Sequence, residues 1–257
     1  MTSFTEKARR ASTPAELARI LGDAPGVMLS ASVPYRRTFP PDLQRNERAR
    51  RFARNEHYLK TMQPQRVRSS VVQLARAIWM RGARLVFGAH PAISPLLLLA
   101  ARDMSVAEGS VVIFQSAWFE EQIPKSTLAL ADWHCGVPVL TPRVAKNAEL
   151  TGEQASLLRM RELMLSVPGL VGAVFIGGME GVEEEARMFR HRHPDLPCYA
   201  LASTGSAARD LLQDVPDAYR GRLTDHKALL TSRSYSLVAK LIAEDLGLMP
   251  PVPRDRP

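Results

Sequence analysis

Six short apolar runs, each bounded by glycine, serine or proline and spaced by stretches of helical periodicity, constrain this chain more than any other feature. They lie in GVMLSASVP, with a strand expected over 26–31, and in ARLVFGAHP, SVVIFQS, GVPVL, GAVFIGG and PCYALAS. The runs are continuously apolar instead of alternating, as strands are when both faces of a sheet are covered. Strand and helix in strict alternation predict an α/β fold: a Rossmann-like, doubly wound, mainly parallel sheet with helices on both faces.

The intervening segments carry helix signals. Thr13 can cap, and Pro14 can open, a helix over TPAELARIL. In VRSSVVQLARAIWMRG, Val67, Val71, Leu74 and Ile78 recur at 4, 3, 4 spacing, and Gly82 can end the helix. Ser94 is expected to cap PLLLLAARDM, which is apolar on nearly every side and expected to be buried. A helix is also expected from Asp225 to Leu246. Residues 1–24 then form a helical N-terminal extension, 25–248 one domain, and 249–257 a Pro-rich tail.

In sheets of this class ligands bind outside the carboxyl ends of the strands. Here those ends read SASVP, GAHPAIS, QSAWFE, GGMEG and ASTGS. Glycine allows close approach of backbone, and hydroxyls and helix N-termini offer polar groups to anions. Ser30, Ser32, Gly88, His90, Gly177, Gly178, Gly181, Ser203, Thr204 and Gly205 are therefore the candidate ligand-binding residues. His90 can act as a general base, bond a phosphate or ribose, or simply tie its loop together. Trp118, just past a strand, is the aromatic best placed to stack on a purine.

The chain carries a net charge of +8, much of it in RNERARRFARNEHYLK at 45–60. Glu47 and Glu56 interrupt these arginines, which favours a solvated helix over a nucleic-acid footprint. The same charge would attract a small phosphorylated ligand. Cys135 and Cys198 match no metal or redox spacing, and His191 and His193 lack a third ligand, so no metal is expected. The His134–Cys135 neighbours lack a third group to make a nucleophile pair. No apolar run reaches the roughly 20 residues of a membrane span, and the N-terminus has no apolar stretch of signal-peptide type. A cytoplasmic protein with reduced thiols is expected.

GAVFIGGMEGVEEE resembles the signature of the SLOG superfamily, the Smf/DprA and LOG-like Rossmannoid proteins. In LOG-type phosphoribohydrolases the motif reads Pro-Gly-Gly-x-Gly-Thr-x-x-Glu, after a helix with Arg-Lys-x-Met. This chain offers Arg161 and Met164 in RMRELM, then Gly177, Gly178, Gly181 and the glutamates. GAHPAISP and ASTGSAA further resemble SLOG domains of bacterial conflict systems and, more distantly, the N-terminal ligand-binding region of melastatin-type TRP channels. The likeness extends over roughly residues 26–215. It implies binding of a nucleotide-derived, ADP-ribose-like ligand with no further cofactor. In LOG enzymes it implies cleavage of the bond between base and ribose 5′-phosphate.

The chain departs from the LOG motif at three points. Ile176 stands for the proline, one extra residue separates Gly178 from Gly181, and Val182 stands for the threonine. The motif glutamate is Glu184 counted from the glycine pair and Glu185 counted from Gly181. By the resemblance, Arg161 and one of these two would act at the ribose. Helix-dipole compensation accounts for much of the Glu183–Glu185 cluster, with Glu183 placed to pair with Arg187 and with Val182, Ala186 and Phe189 facing the sheet. The carboxylates disfavour a phosphate there, since like charges at about 4 Å cost on the order of 4 kcal/mol at an effective dielectric near 20. Phosphates are expected at STGS with Arg209, or at SAS with Arg36 or Arg37. A sensor of a nucleotide-derived signal, acting through a separate effector and possible as a homodimer by analogy, is the favoured function. Nucleotide N-glycosidic hydrolysis and nucleic-acid binding are the alternatives.

Overall fold

A computed structural model describes residues 4–38, 44–104, 106–214 and 230–249. Its strands are β1 (Arg9–Arg10), β2 (Gly26–Ser32), β3 (Arg84–Gly88), β4 (Val111–Ser116), β5 (Gly136–Thr141), β6 (Leu170–Gly177) and β7 (Cys198–Leu201). The helices are α1 (Phe4–Lys7), α2 (Pro14–Leu21), α3 (Arg45–Thr61), α4 (Pro64–Trp79), α5 (Ser94–Asp103), α6 (Lys125–Asp132), α7 (Gly152–Met164), α8 (Glu180–Arg192), α9 (Ser206–Asp214) and α10 (Tyr235–Asp245). All seven strands are parallel, in the order β1-β5-β4-β3-β2-β6-β7.

The apolar runs explain this arrangement. Val27 and Leu29 of β2 pack into a core with Val67, Val71, Leu74 and Ile78 of α4 and residues of α5, α6 and α10. Met28, one position out of phase, packs on the other face with residues of α2, α7, α8 and α9. Successive side chains point to opposite faces, so a strand covered twice has no polar register. The four α4 residues are essentially inaccessible to solvent, and burial of each such aliphatic side chain is worth about 1.5–3 kcal/mol.

Local signals act where they were expected in α2. Thr13 and Glu16 form a reciprocal capping box, with Pro14 at the first helical position. At its other end the buried Arg84 guanidinium donates to the carbonyls of Leu21, Gly22 and Ala24 at 2.6–3.2 Å, satisfying acceptors that a helix end leaves open. Burial lowers the Arg84 pKa.

Three local expectations differ from the structure. The N-terminal segment joins the sheet: β1 pairs with β5 and forms its edge. Ser94 does not cap α5; it lies inside the first turn, fully buried, and accepts a hydrogen bond from Thr127 Oγ1 at 2.8 Å. Nor is α5 buried all round, since Leu99 is 58% exposed. The expected helix at 225–246 is described from 230 onward and is regular over α10; its start and the tail from 250 lie outside the described residues.

Candidate functional site

From β2 the sheet grows outward through β3, β4 and β5, then the chain returns to lay β6 on the other side of β2. Loops leave these two neighbours in opposite directions, which opens a crevice at their carboxyl ends. Ser32 and Gly177 stand opposite each other there. A cleft of about 660 Å3 lies above β2 and β3, lined by Ser30, Ser32, Gly88, His90, Arg161, Gly181 and Glu185, with Phe119, Leu157, Met160, Met179 and Val182 as apolar walls. Seven of the candidates taken from the sequence thus meet in one place.

α7 and α8 supply the charged wall. Arg161 Nε donates to Glu185 Oε1 at 3.3 Å, and both side chains are largely buried, at 19% and 15% exposure. Gly181, in the first turn of α8, leaves room for this pair: a Cβ there would lie 3.2 Å from Arg161 Nη2. Glu184 sits one position round the helix, pairs with Arg187 at 2.6 Å and borders a neighbouring, more open hollow. Its hydrogen bond with Arg187 lowers its pKa. The glutamate facing the cleft is therefore Glu185. Glu183 does not use Arg187; it accepts hydrogen bonds from Tyr58 Oη at 2.8 Å and from Arg54. Val182, Ala186 and Phe189 are buried against the sheet.

Two side chains that line the cleft keep hydrogen-bonding capacity the protein does not use. Ser30 Oγ is buried and has no hydrogen-bond partner. Such groups are uncommon in folded proteins and call for a ligand or water. His90 accepts a hydrogen bond at Nδ1 from the Ala92 N–H at 3.2 Å, which places the proton of the neutral ring on Nε2. Burial pushes its pKa down to about 4, so near neutral pH the ring is an uncharged hydrogen-bonding group and offers a phosphate no counter-charge.

The remaining candidates form a closed corner beside the cleft. Gly177 and Gly178 have φ of +59° and +92°, and a Cβ on Gly178 would lie 2.3 Å from Val182 Cγ2. Their N–H groups donate to Thr204 Oγ1 at 2.8 Å and to Ser32 O at 2.9 Å. The glycine pair thus serves a tight turn and close packing, and its donors point inward. Thr204 is fully buried and donates in turn to Leu201 O at 2.6 Å. The N-terminus of α9, expected to receive phosphate, is covered by the end of α3. Ser206 N–H donates to Thr61 Oγ1 at 3.2 Å, Ser206 Oγ donates to Tyr58 O at 2.9 Å, and a Cβ on Gly205 would lie 2.0 Å from Thr61 O. Ser203 and Gly205 border a separate hollow with Arg66 and Arg209. Trp118 lies against Gly152 instead of lining the cleft, while its neighbour Phe119 lines it.

Sequence reasoning missed the role of the basic segment. α3 lies over this edge of the sheet and carries Asn55, 1% exposed, whose side chain accepts from Arg37 N at 3.2 Å and donates to Tyr35 O at 3.1 Å. The loop after β2 is thereby clamped to α3. An uncharged residue in an arginine-rich stretch was the available signal. Among the described residues no cluster of His, Cys, Asp and Glu fits a metal ion, and no helix is long and apolar enough to cross a membrane. Cys135 and Cys198 are buried and outside any disulfide, with pKa raised to about 11 by that burial.

No curated protein and no solved structure matches the chain. A protein-family model does: the match runs from residue 57 to residue 232, more than half of the chain, and takes in the glycine turn, the glutamates and the arginine that pairs with one of them. The protein belongs to the SLOG cluster3 family.

Proposed function

We propose that this protein binds a nucleotide or nucleotide-derived, ADP-ribose-like ligand in the cleft between β2, β3, α7 and α8, and that it serves as a sensor. Family membership supports a nucleotide-related function in general terms. The observation that carries the finer reading is the unpartnered, buried Ser30 hydroxyl, in a cleft shared with His90 and with the Arg161–Glu185 pair. A polyol with vicinal hydroxyls, such as ribose, matches these groups: a carboxylate accepts, a serine donates or accepts, and the His90 Nε2–H donates. The walls from Phe119, Leu157 and Met160 suit a flat base. The sensor needs no further cofactor, and it signals through a separate effector protein or through self-association.

Thermal-shift titration with ADP-ribose, its cyclic forms, NAD and AMP tests this. At least one should raise the midpoint in the wild type and have a much smaller effect on Glu185→Gln. Equal shifts in both proteins, or none in either, would sink the reading.

One observation favours a second reading. The Arg161–Glu185 pair, which the LOG resemblance would set at the ribose, faces the cleft. In that reading a water oxygen bonds to the anomeric carbon, the N-glycosidic bond breaks and the base leaves protonated, with Glu185 as base or electrostatic partner. Release of free base from AMP, lost in Glu185→Gln, is its signature. The absence of release alongside tight binding leaves the sensor.

A further inference from the structure

The cleft does not end at Arg161. It opens into a second hollow of about 640 Å3, sharing Tyr35, Arg37 and Arg161 with it. That hollow opens into a third, of about 730 Å3, between Arg37, Arg50, Arg51 and Arg54. Among the described residues, Arg37 alone lines all three.

Arg37 is held in place from several sides. Its backbone N–H is fixed by Asn55, and its guanidinium lies 5.6 Å from the centre of the Tyr35 ring. Its Nη1 donates to Glu180 Oε2 at 3.1 Å. Its Nε is buried and has no hydrogen-bond partner, a donor group that needs an acceptor. Farther out, Arg50 has no ion pair among the described residues, and Arg51 spends one nitrogen on Glu47. The helix N-termini give an anion no better place. α9 is covered by Thr61, and α8 opens with Glu180 and Glu183.

We infer that the arginines of α3 and the loop after β2 form a polyphosphate subsite continuous with the cleft, anchored on Arg37. This rests on the ligand-binding reading above and narrows it: the ligand carries at least two linked phosphates. Arg37 lines both the second and the outer hollow, so a phosphate held at Arg37 leaves the arginines of the outer hollow for a second phosphate linked to it. Guanidinium groups match phosphate oxygens two at a time. The exposed Arg51–Glu47 pair costs little to displace, because exposed ion pairs contribute little to stability. Glu47 and Glu180 lie among these arginines and repel every phosphate, so the net positive charge here can hold only a few, which favours a compact ligand over nucleic acid.

Calorimetric titration of the full chain with AMP, ADP, inorganic pyrophosphate and a 20-nucleotide single strand tests the subsite. The variant is Arg50→Gln/Arg51→Gln, whose side chains are exposed, and Arg68→Gln on α4 is the control. Wild type and control should bind ADP at least tenfold more tightly than AMP. They should also bind pyrophosphate, with affinity falling as salt rises. In the double variant the ADP advantage should fall below about twofold, with an unchanged melting temperature.

Equal affinities for AMP and ADP, both lowered by Glu185→Gln, would overturn the subsite and leave the nucleotide reading standing. Arginine-dependent pyrophosphate binding, with no nucleotide binding more tightly than pyrophosphate, would keep the subsite and overturn the nucleotide reading. The single strand binding more tightly than ADP would overturn the subsite in favour of a nucleic-acid surface. No binding of any probe would overturn both.

Discussion

Two neighbouring parts of the sheet edge are built from the same small residues and have opposite fates. In the corner made by Gly177, Gly178, Thr204 and Ser206, these residues are buried and every N–H and hydroxyl named above is spent on another part of the chain. In the cleft beside it, Ser30 Oγ has no partner and His90 has spent only Nδ1. Glycine, serine and threonine after a strand therefore mark sharp turns and hydrogen-bond density. What separates a structural joint from a binding surface is the hydrogen-bonding capacity left over once the chain has packed. Charge follows the same division: neutral closure in the corner, and an arginine–carboxylate pair in the cleft.

Substitutions can break this contrast, and the largest effect is expected in the corner. Gly205→Ala should cost about 3–5 kcal/mol in urea unfolding, because Gly205 has φ of +78° and the added carbon would lie 2.0 Å from Thr61 O. Ligand affinity of the folded fraction should be unchanged. A mild effect would mean that α3 is not seated on α9.

Next comes a pH effect in the cleft. Above about pH 6.5, the usual histidine pKa, His90 is neutral folded and unfolded, and contributes no pH dependence. Between pH 6.5 and about 4 the unfolded chain binds a proton that the folded one refuses. Stability should therefore fall with pH across that window, by up to about 3 kcal/mol. His90→Gln should flatten that part of the curve, measured by urea unfolding at pH 7 and pH 4.5.

Smaller still, Glu185→Gln should weaken ligand binding about tenfold or more, near 1.4 kcal/mol. Smallest is Glu184→Gln: its exposed partnership with Arg187 should be worth less than about 0.5 kcal/mol, and ligand affinity should not move. Reversal of these last two would assign the motif glutamate to Glu184.

The fold was largely legible because its determinants are local or periodic. Continuous apolar runs signalled strands covered on both faces, Thr13 and Pro14 marked the start of α2, and 4, 3, 4 spacing picked out the buried stripe of α4. The site was legible as a set of positions, but not as a division among them. That division depends on hydrogen bonds such as Ser206 to Thr61 and Ser206 to Tyr58, which span 145 and 148 residues. No local pattern carries them. The same holds for β1, whose two arginines look like helix flank and become strand only because β5 offers an open edge. Asn55 was hidden for a related reason: its two backbone partners lie 18 and 20 residues away, across a loop whose course the sequence does not specify.

The place of β2 in the middle of the sheet has a consequence for synthesis. Its apolar residues leave the ribosome early, but the strand that covers its second side, β6, begins at Leu170. At about 5–20 residues per second, roughly 140 residues of translation, from Ser32 to Leu170, leave that edge open for about 7–28 seconds. An open apolar edge is a template for pairing with another chain. Nascent molecules stalled before Leu170 should therefore need chaperone protection.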